Sequence, residues 1–152
     1  MRTVRDILNA KAKPFNQVSP ETLVIDALKM LNSINLSYLV VMKGDEYQGI
    51  FSERDYSRNV ILKGRHSNTT TVAEVMTHDV PVVGFSETVE QCMHLIDMHK
   101  TRYLLAFDEE ENFGGVITIH DLLRQVINDK EEVFDKNLAE RLVDDDESGR
   151  IY

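Results

Sequence analysis

The sequence predicts an α+β protein in which one unit is used twice. Three observations carry that prediction. A phrase of glycine, two apolar residues, a hydroxyl and, three places later, an aspartate occurs as Gly49-Ile50-Phe51-Ser52-Glu53-Arg54-Asp55. It returns as Gly115-Val116-Ile117-Thr118-Ile119-His120-Asp121. Upstream of each phrase stands a continuous apolar run, Tyr38-Leu39-Val40-Val41-Met42 and Tyr103-Leu104-Leu105-Ala106-Phe107, of the kind that forms strands buried in a sheet. Upstream of each run lies a stretch with apolar residues at helical spacing. Recurrence of a whole series of elements, in order, is the mark of a duplicated structural unit.

Taken from the start, Thr3 and Asp6 form a capping-box pair that opens a short helix, and Thr71 with Glu74 opens its counterpart. A turn-rich connection through Lys13-Pro14-Phe15-Asn16-Gln17-Val18-Ser19-Pro20 follows, with Pro20 suited to a helix entry. From Glu21-Thr22, the residues Leu23, Ala27, Leu28, Leu31 and Ile34 fall on one helical face. The second copy enters by Val82-Val83-Gly84-Phe85-Ser86, then Glu87-Thr88, and its stripe is Val89, Cys92, Met93 and Ile96, reaching His99. After the two apolar runs, Lys43-Gly44-Asp45-Glu46 and Asp108-Glu109-Glu110-Glu111-Asn112 read as hairpin turns. The returning strand of each hairpin ends in the repeated phrase, and a helix follows. Each unit is therefore strand–helix–strand–strand–helix. The boundaries are 1–62 for the first repeat, 63–70 for a polar linker, 71–128 for the second repeat, and 129–152 for a helical extension with an acidic tail. That extension continues the last apolar stripe through Val133, Phe134, Leu138 and Leu142.

Bulk properties narrow the function. With 152 residues the chain can bury a core, and 42% hydrophobic with 28% charged residues is the composition of a globular protein. A formal charge of −9 argues against nucleic-acid polymers and anionic membranes as partners. No apolar run reaches the ~20 residues of a spanning helix, and the first residues lack a signal-peptide core. Cys92 is the only cysteine, so no internal disulfide forms and the cytoplasm is the expected location. The five histidines show no zinc-type pairing, and neither a P-loop nor a dinucleotide glycine motif occurs. No metal site and no catalytic constellation is expected.

A hydroxyl three residues ahead of an acid is also a plain helix cap, and duplicating a fold duplicates its caps. Recurrence alone does not separate a cap from a binding site.

The two phrases in their strand–helix context, with Glu53-Arg54-Asp55-Tyr56-Ser57-Arg58 and Arg102-Tyr103-Leu104, resemble a tandem pair of CBS domains, the module named after cystathionine β-synthase, of the small stand-alone bacterial type. The resemblance covers residues 1 to about 128. It implies two repeats packed as a pseudo-twofold pair with clefts between their sheets. It also implies adenosine nucleotides (AMP, ADP, ATP, NAD or S-adenosylmethionine) as ligands, association into dimers, and regulation of another protein rather than catalysis. AMP is the leading candidate, with NAD and ATP next. A ligand-independent dimerisation or interaction scaffold is the competing reading.

The resemblance assigns residues, and their chemistry agrees. Ser52 and Thr118 stand at helix starts, where free N–H groups favour an anion. Asp55 and Asp121 can each accept hydrogen bonds from a ribose diol. Arg102, Arg58 and Arg54 are candidate phosphate ligands by virtue of the planar guanidinium, and Arg65 is a further nearby cation. His120 replaces Arg54 in the second copy and can donate when protonated. In similar proteins Val18, Tyr38, Val83 and Tyr103 begin or precede the elements lining the adenine slot.

Overall fold

The computed structural model describes residues 2–11, 15–128, 138, 141 and 142. They form two compact units. One is contiguous, Phe15–Asp79; the other joins Met1–Pro14 to Val80–Tyr152.

In the contiguous unit, β1 (Gln17–Val18), β2 (Tyr38–Lys43) and β3 (Glu46–Ser52) form a sheet in that order. The β1–β2 pairing is parallel, so a crossover must join them, and α2 (Val24–Ser33) supplies it. The β2–β3 pairing is antiparallel through the tight turn in which Gly44 takes φ +62°, a conformation open to glycine. Of the stripe read from the sequence, Ala27 and Leu31 are buried and Leu28 is partly buried against the same core; Val24, outside that stripe, is buried with them, and they pack with Leu39, Val41, Phe51 and Val60. Each of the Val, Leu and Phe side chains among them contributes roughly 1.5–3 kcal/mol on burial.

Two expectations for α2 need correction. The helix begins at Val24 rather than at Glu21-Thr22, and its cap residue, Leu23, offers no side-chain oxygen. The first amides are satisfied instead by distant carbonyls: Val24 N–H donates to Thr70 O and Ile25 N–H to Ser67 O, both at 2.9 Å. At the other end, Ile34 lies beyond the last turn and is half exposed, because the chain leaves through Asn35 at φ +53°.

The return is reciprocal. The first amides of α4 (Val72–Val75) donate to Thr22 O and Pro20 O at 2.8 and 3.1 Å, while its own cap pairs Thr71 N with Glu74 Oε2 at 2.7 Å. Between these helices, α3 (Glu53–Tyr56) widens into a π-type turn over Ser57–Ile61, in which Leu62 N–H reaches Ser57 O at 3.1 Å.

The other unit repeats the plan. β4 (Val82–Gly84), β5 (Tyr103–Phe107) and β6 (Phe113–Thr118) form a sheet in that order, with α5 (Val89–His99) as the crossover and α6 (Ile119–Asn128) after the last strand. Here α1 (Val4–Ala10) occupies the place that α4 has in the contiguous unit. Val4 N–H donates to Glu87 O and Arg5 N–H to Phe85 O at 2.9 and 3.0 Å, and Val89 N–H donates back to Arg2 O at 3.1 Å. Val4 and Ile7 are buried with Cys92, Met93, Ile96, Leu104 and Leu122. The unit that recurs along the chain, 1–62 and 71–128, is thus offset by one helix from the unit that packs.

The core of this unit also takes Leu138 and Leu142, both fully buried, and Arg141 Nη2 stands 3.2 Å from Asp97 Oδ2. Val133, Phe134 and the acidic tail lie outside the described residues. His99, placed by its spacing at the end of the apolar stripe, is exposed, since Lys100 turns the chain out of α5 at φ +51°.

Candidate functional site

The repeated phrase ends up in the same place in each unit, where the last strand turns into a helix. Strand register aligns the neighbours: Tyr38 pairs with Ser52 across β2–β3, and Tyr103 pairs with Thr118 across β5–β6. On the other side of the central strand, Val18 is opposite Val41 and Val83 opposite Ala106, which are equivalent positions. A valine, a tyrosine, a hydroxyl and an aspartate are therefore placed alike in both units.

Both phrases act as helix caps. In the contiguous unit Ser52 donates through its backbone N–H to Asp55 Oδ2 at 2.8 Å and through its hydroxyl at 3.1 Å. In the other, Thr118 N–H donates to Asp121 Oδ2 at 2.9 Å and Asp121 N–H returns a bond to Thr118 Oγ1 at 3.2 Å. Both aspartates are buried. A buried carboxylate needs compensating partners beyond its own cap.

Here the units diverge. Thr77 donates its hydroxyl to Asp55 Oδ1 at 2.6 Å. Burial raises the Asp55 pKa above its ordinary value, against the lowering effect of the bonds from Thr77 and Ser52 and of the nearby charge on Arg54. At Asp121 the partner is an ammonium: Lys11 Nζ stands 3.0 Å from Oδ2 and donates to Val116 O at the same distance. Ile50 and Val116 hold the same place in the phrase. The carbonyl of Ile50 accepts from Thr77 N–H at 2.8 Å, and Thr77 O accepts in turn from Ile50 N–H at 2.9 Å. The edge of each last strand is thus served by the segment that follows the docked helix, once by backbone and once by a lysine.

The glycine of the phrase now has a local reason in the contiguous unit. A Cβ on Gly49 would come within 2.8 Å of Met76 Sδ and 3.0 Å of Thr77 O, so a side chain there would push away the segment that delivers Thr77.

The cations divide. Arg54 and Arg58 are exposed on α3 and the turn after it, and His120 is exposed on α6. Arg102 is half-buried, and its carbonyl accepts from Ile119 N–H at 3.1 Å, which fixes its backbone at the start of α6. Arg65 is committed elsewhere, donating to the carbonyl of Asn59 at 3.2 Å. Tyr38 and Tyr103 are half-buried, Val83 is buried and Val18 half-buried. Cys92 lies in the core, where burial pushes its thiol up to about 12. Among the described residues no group of three or more His, Cys, Asp or Glu is placed to hold a metal, and no helix is long and apolar enough to cross a membrane.

Thr77 and Lys11 were not legible as site residues. The one signal was positional: each follows the capped helix that opens a copy, Thr71-Val72-Ala73-Glu74 or Thr3-Val4-Arg5-Asp6.

A duplicated β-α-β-β-α unit ending in a capped, buried aspartate defines the class: this is a tandem pair of CBS domains. The chain belongs to the CBS-domain family, whose model matches residues 4–61 and 72–128. It is 30% identical over 139 residues to the mitochondrial CBS domain-containing protein CBSX3 of Arabidopsis thaliana, a match covering 86% of this chain and 67% of that one. A solved protein with CBS domains from Burkholderia ambifaria superposes with a TM-score of 0.75 at 35% identity, covering 88% of this chain and all of that one. The solved complex of CBSX2 with AMP has the same fold at a TM-score of 0.67 and 24% identity, covering 84% and 97% of the two chains.

Proposed function

We propose that this chain is a regulatory CBS pair that binds an adenosine nucleotide at its repeated phrase, performs no chemistry on it, and signals occupancy to a partner protein. The observation that carries this is the placement of valine, tyrosine, hydroxyl and buried aspartate at equivalent positions of both units. The apolar pair offers a slot for a base, and the aspartate offers acceptors for a ribose diol. The helix-start hydroxyl, with Arg102 beside it, offers donors for a phosphate. The AMP complex of CBSX2, a protein of the same fold, makes AMP the first candidate, with ATP, ADP and NAD as the alternatives. The module works as a homodimer in the cytoplasm.

Calorimetric titration of the purified chain with AMP, ADP, ATP and NAD tests the reading. Saturable binding of at least one in the micromolar range is expected. At ~100 times its dissociation constant, that nucleotide stabilises the fold by about 2.7 kcal/mol. Absence of binding by all four at millimolar concentration overturns it and leaves a ligand-independent scaffold.

A further inference from the structure

The two carboxylates are compensated by different chemistry, and the difference bears on ligand choice. Asp55 accepts from Ser52 N, from Ser52 Oγ and from Thr77 Oγ1, so three of its roughly four lone-pair sites are used and both oxygens are engaged. All three donors are uncharged. A phosphate arriving beside it meets a carboxylate that, among the described residues, has no charged hydrogen-bond donor, the nearby charge on Arg54 being carried on an exposed side chain of α3. Asp121 concentrates its bonds on Oδ2, and among the described residues Oδ1 carries none. Its charge is matched by direct contact with Lys11, whose side chain is itself largely buried and held a second time by Val116 O.

Two like charges brought together out of water repel strongly, and a paired cation removes that penalty. An ammonium also attracts phosphate as a point charge, with no geometric demand. A ribose diol needs free acceptor capacity, which among the described residues Oδ1 of Asp121 has and Asp55 largely lacks.

We infer that Lys11 is a specificity-determining residue, which makes the Asp121 unit the primary site and makes binding there depend on the ligand's phosphate. The inference rests on the nucleotide reading proposed above. It assigns to α1, and to the segment after it, a part in ligand recognition by the second sheet.

The test compares AMP with adenosine on the wild-type chain and on Lys11→Met and Lys11→Arg, using calorimetry for AMP and ligand-observed NMR titration for adenosine. Melting of the apo proteins checks folding. The wild type is expected to bind one AMP per chain in its tight phase. Lys11→Met should weaken AMP at least tenfold while changing adenosine less than threefold, and Lys11→Arg should keep most of the preference for AMP. Equal loss of AMP and adenosine affinity in Lys11→Met means that the lysine only supports the fold, and overturns the inference. So does unchanged AMP binding, or two tight sites of equal affinity in the wild type. Failure of the wild type to bind either compound overturns the nucleotide reading itself, and this inference with it. Should Lys11→Met fail to fold, Lys11→Gln carries the same comparison.

Discussion

Thr77 and Asp55 are 22 residues apart in sequence and joined by a 2.6 Å hydrogen bond from hydroxyl to carboxylate. The carboxylate is buried, so the bond stands where water would otherwise be.

Replacing Thr77 by Val keeps the shape and removes the donor. A buried carboxylate deprived of a partner costs about 1–3 kcal/mol, so the melting temperature should fall by several degrees. The deficit should vary with pH. Burial holds the folded-state pKa of Asp55 above its ordinary value of 3.8. The folded chain therefore binds more protons than the unfolded chain as pH rises past that value. The stability contributed by Asp55 is full below it and is lost as pH climbs through the folded-state pKa. Thr77→Val raises that pKa further, so its deficit is largest near neutrality and shrinks towards pH 4. Urea midpoints between pH 4 and 8 read this directly. A deficit constant across the range means that Thr77 bonds a carboxyl already neutral.

Asp121→Asn removes the charge and keeps most of the shape. Its cap is weakened and the Lys11 ammonium loses its ion-pair partner, so the apo protein should lose about 2 kcal/mol. The larger effect should appear with AMP. Losing a charge-assisted bond to ribose costs ~1.5–3 kcal/mol of binding, tenfold or more in affinity. The same change at Asp55 should spare the first AMP bound. A lower apo melting point with an undiminished AMP shift in Asp121→Asn would make the aspartate a cap and nothing more.

Gly49→Ala drives a methyl against Met76 Sδ and the Thr77 carbonyl. Overpacking of this kind costs roughly 1–3 kcal/mol. Because the displaced segment carries Thr77, the pH-dependent deficit of Thr77→Val should appear here too. A double variant should then lose less than the sum of the two singles. Additive losses would show that Thr77 keeps its bond in the Gly49→Ala protein.

Ile61 and Ile127 sit at the same position of the two copies, and both are exposed, as is Leu62. An exposed large apolar residue at this position of each unit fits a patch, in that unit, that another molecule covers. Sedimentation at micromolar concentration should report a dimer of the 17.5 kDa chain, and Leu62→Asp combined with Ile127→Asp should report a monomer. A wild-type monomer under these conditions removes the homodimer. Leu138 and Leu142 add to no such patch, being buried in their own unit.

Much of this fold could be read from the chain because its signals are local. Alternation between helical spacing and continuous apolar runs located α2, α5 and the four long strands, and Thr3/Asp6 and Thr71/Glu74 announced their caps. The start of α2 could not be read, because its cap is a pair of backbone carbonyls more than forty residues away, and backbone carbonyls leave no mark in composition. The site divides in the same way. Ser52, Asp55, Thr118 and Asp121 carry a spacing, whereas Thr77 and Lys11 reach their aspartates only through tertiary contact. Lys11 is separated from Asp121 by 110 residues.

The docking of α1 on the second sheet sets an order of events during synthesis. Among the described residues, Phe15–Asp79 holds within itself the strand partners of its sheet and the carbonyls that accept from the first amides of α2 and α4, so none of those bonds waits for a later residue. Residues 2–11, which precede it, do wait for later ones: the acceptors for the Val4 and Arg5 amides are Glu87 and Phe85, and the burial partners of Val4 and Ile7 extend to Leu138 and Leu142. The helix Val4–Ala10 is thus made before the sheet on which it docks, and Lys11 meets Asp121 only after that closure, whose cost grows slowly with the length of chain enclosed. A ribosome-bound chain stalled after Asp79 would leave Val4 and Ile7 without their burial partners, open to chaperones until the second sheet emerges.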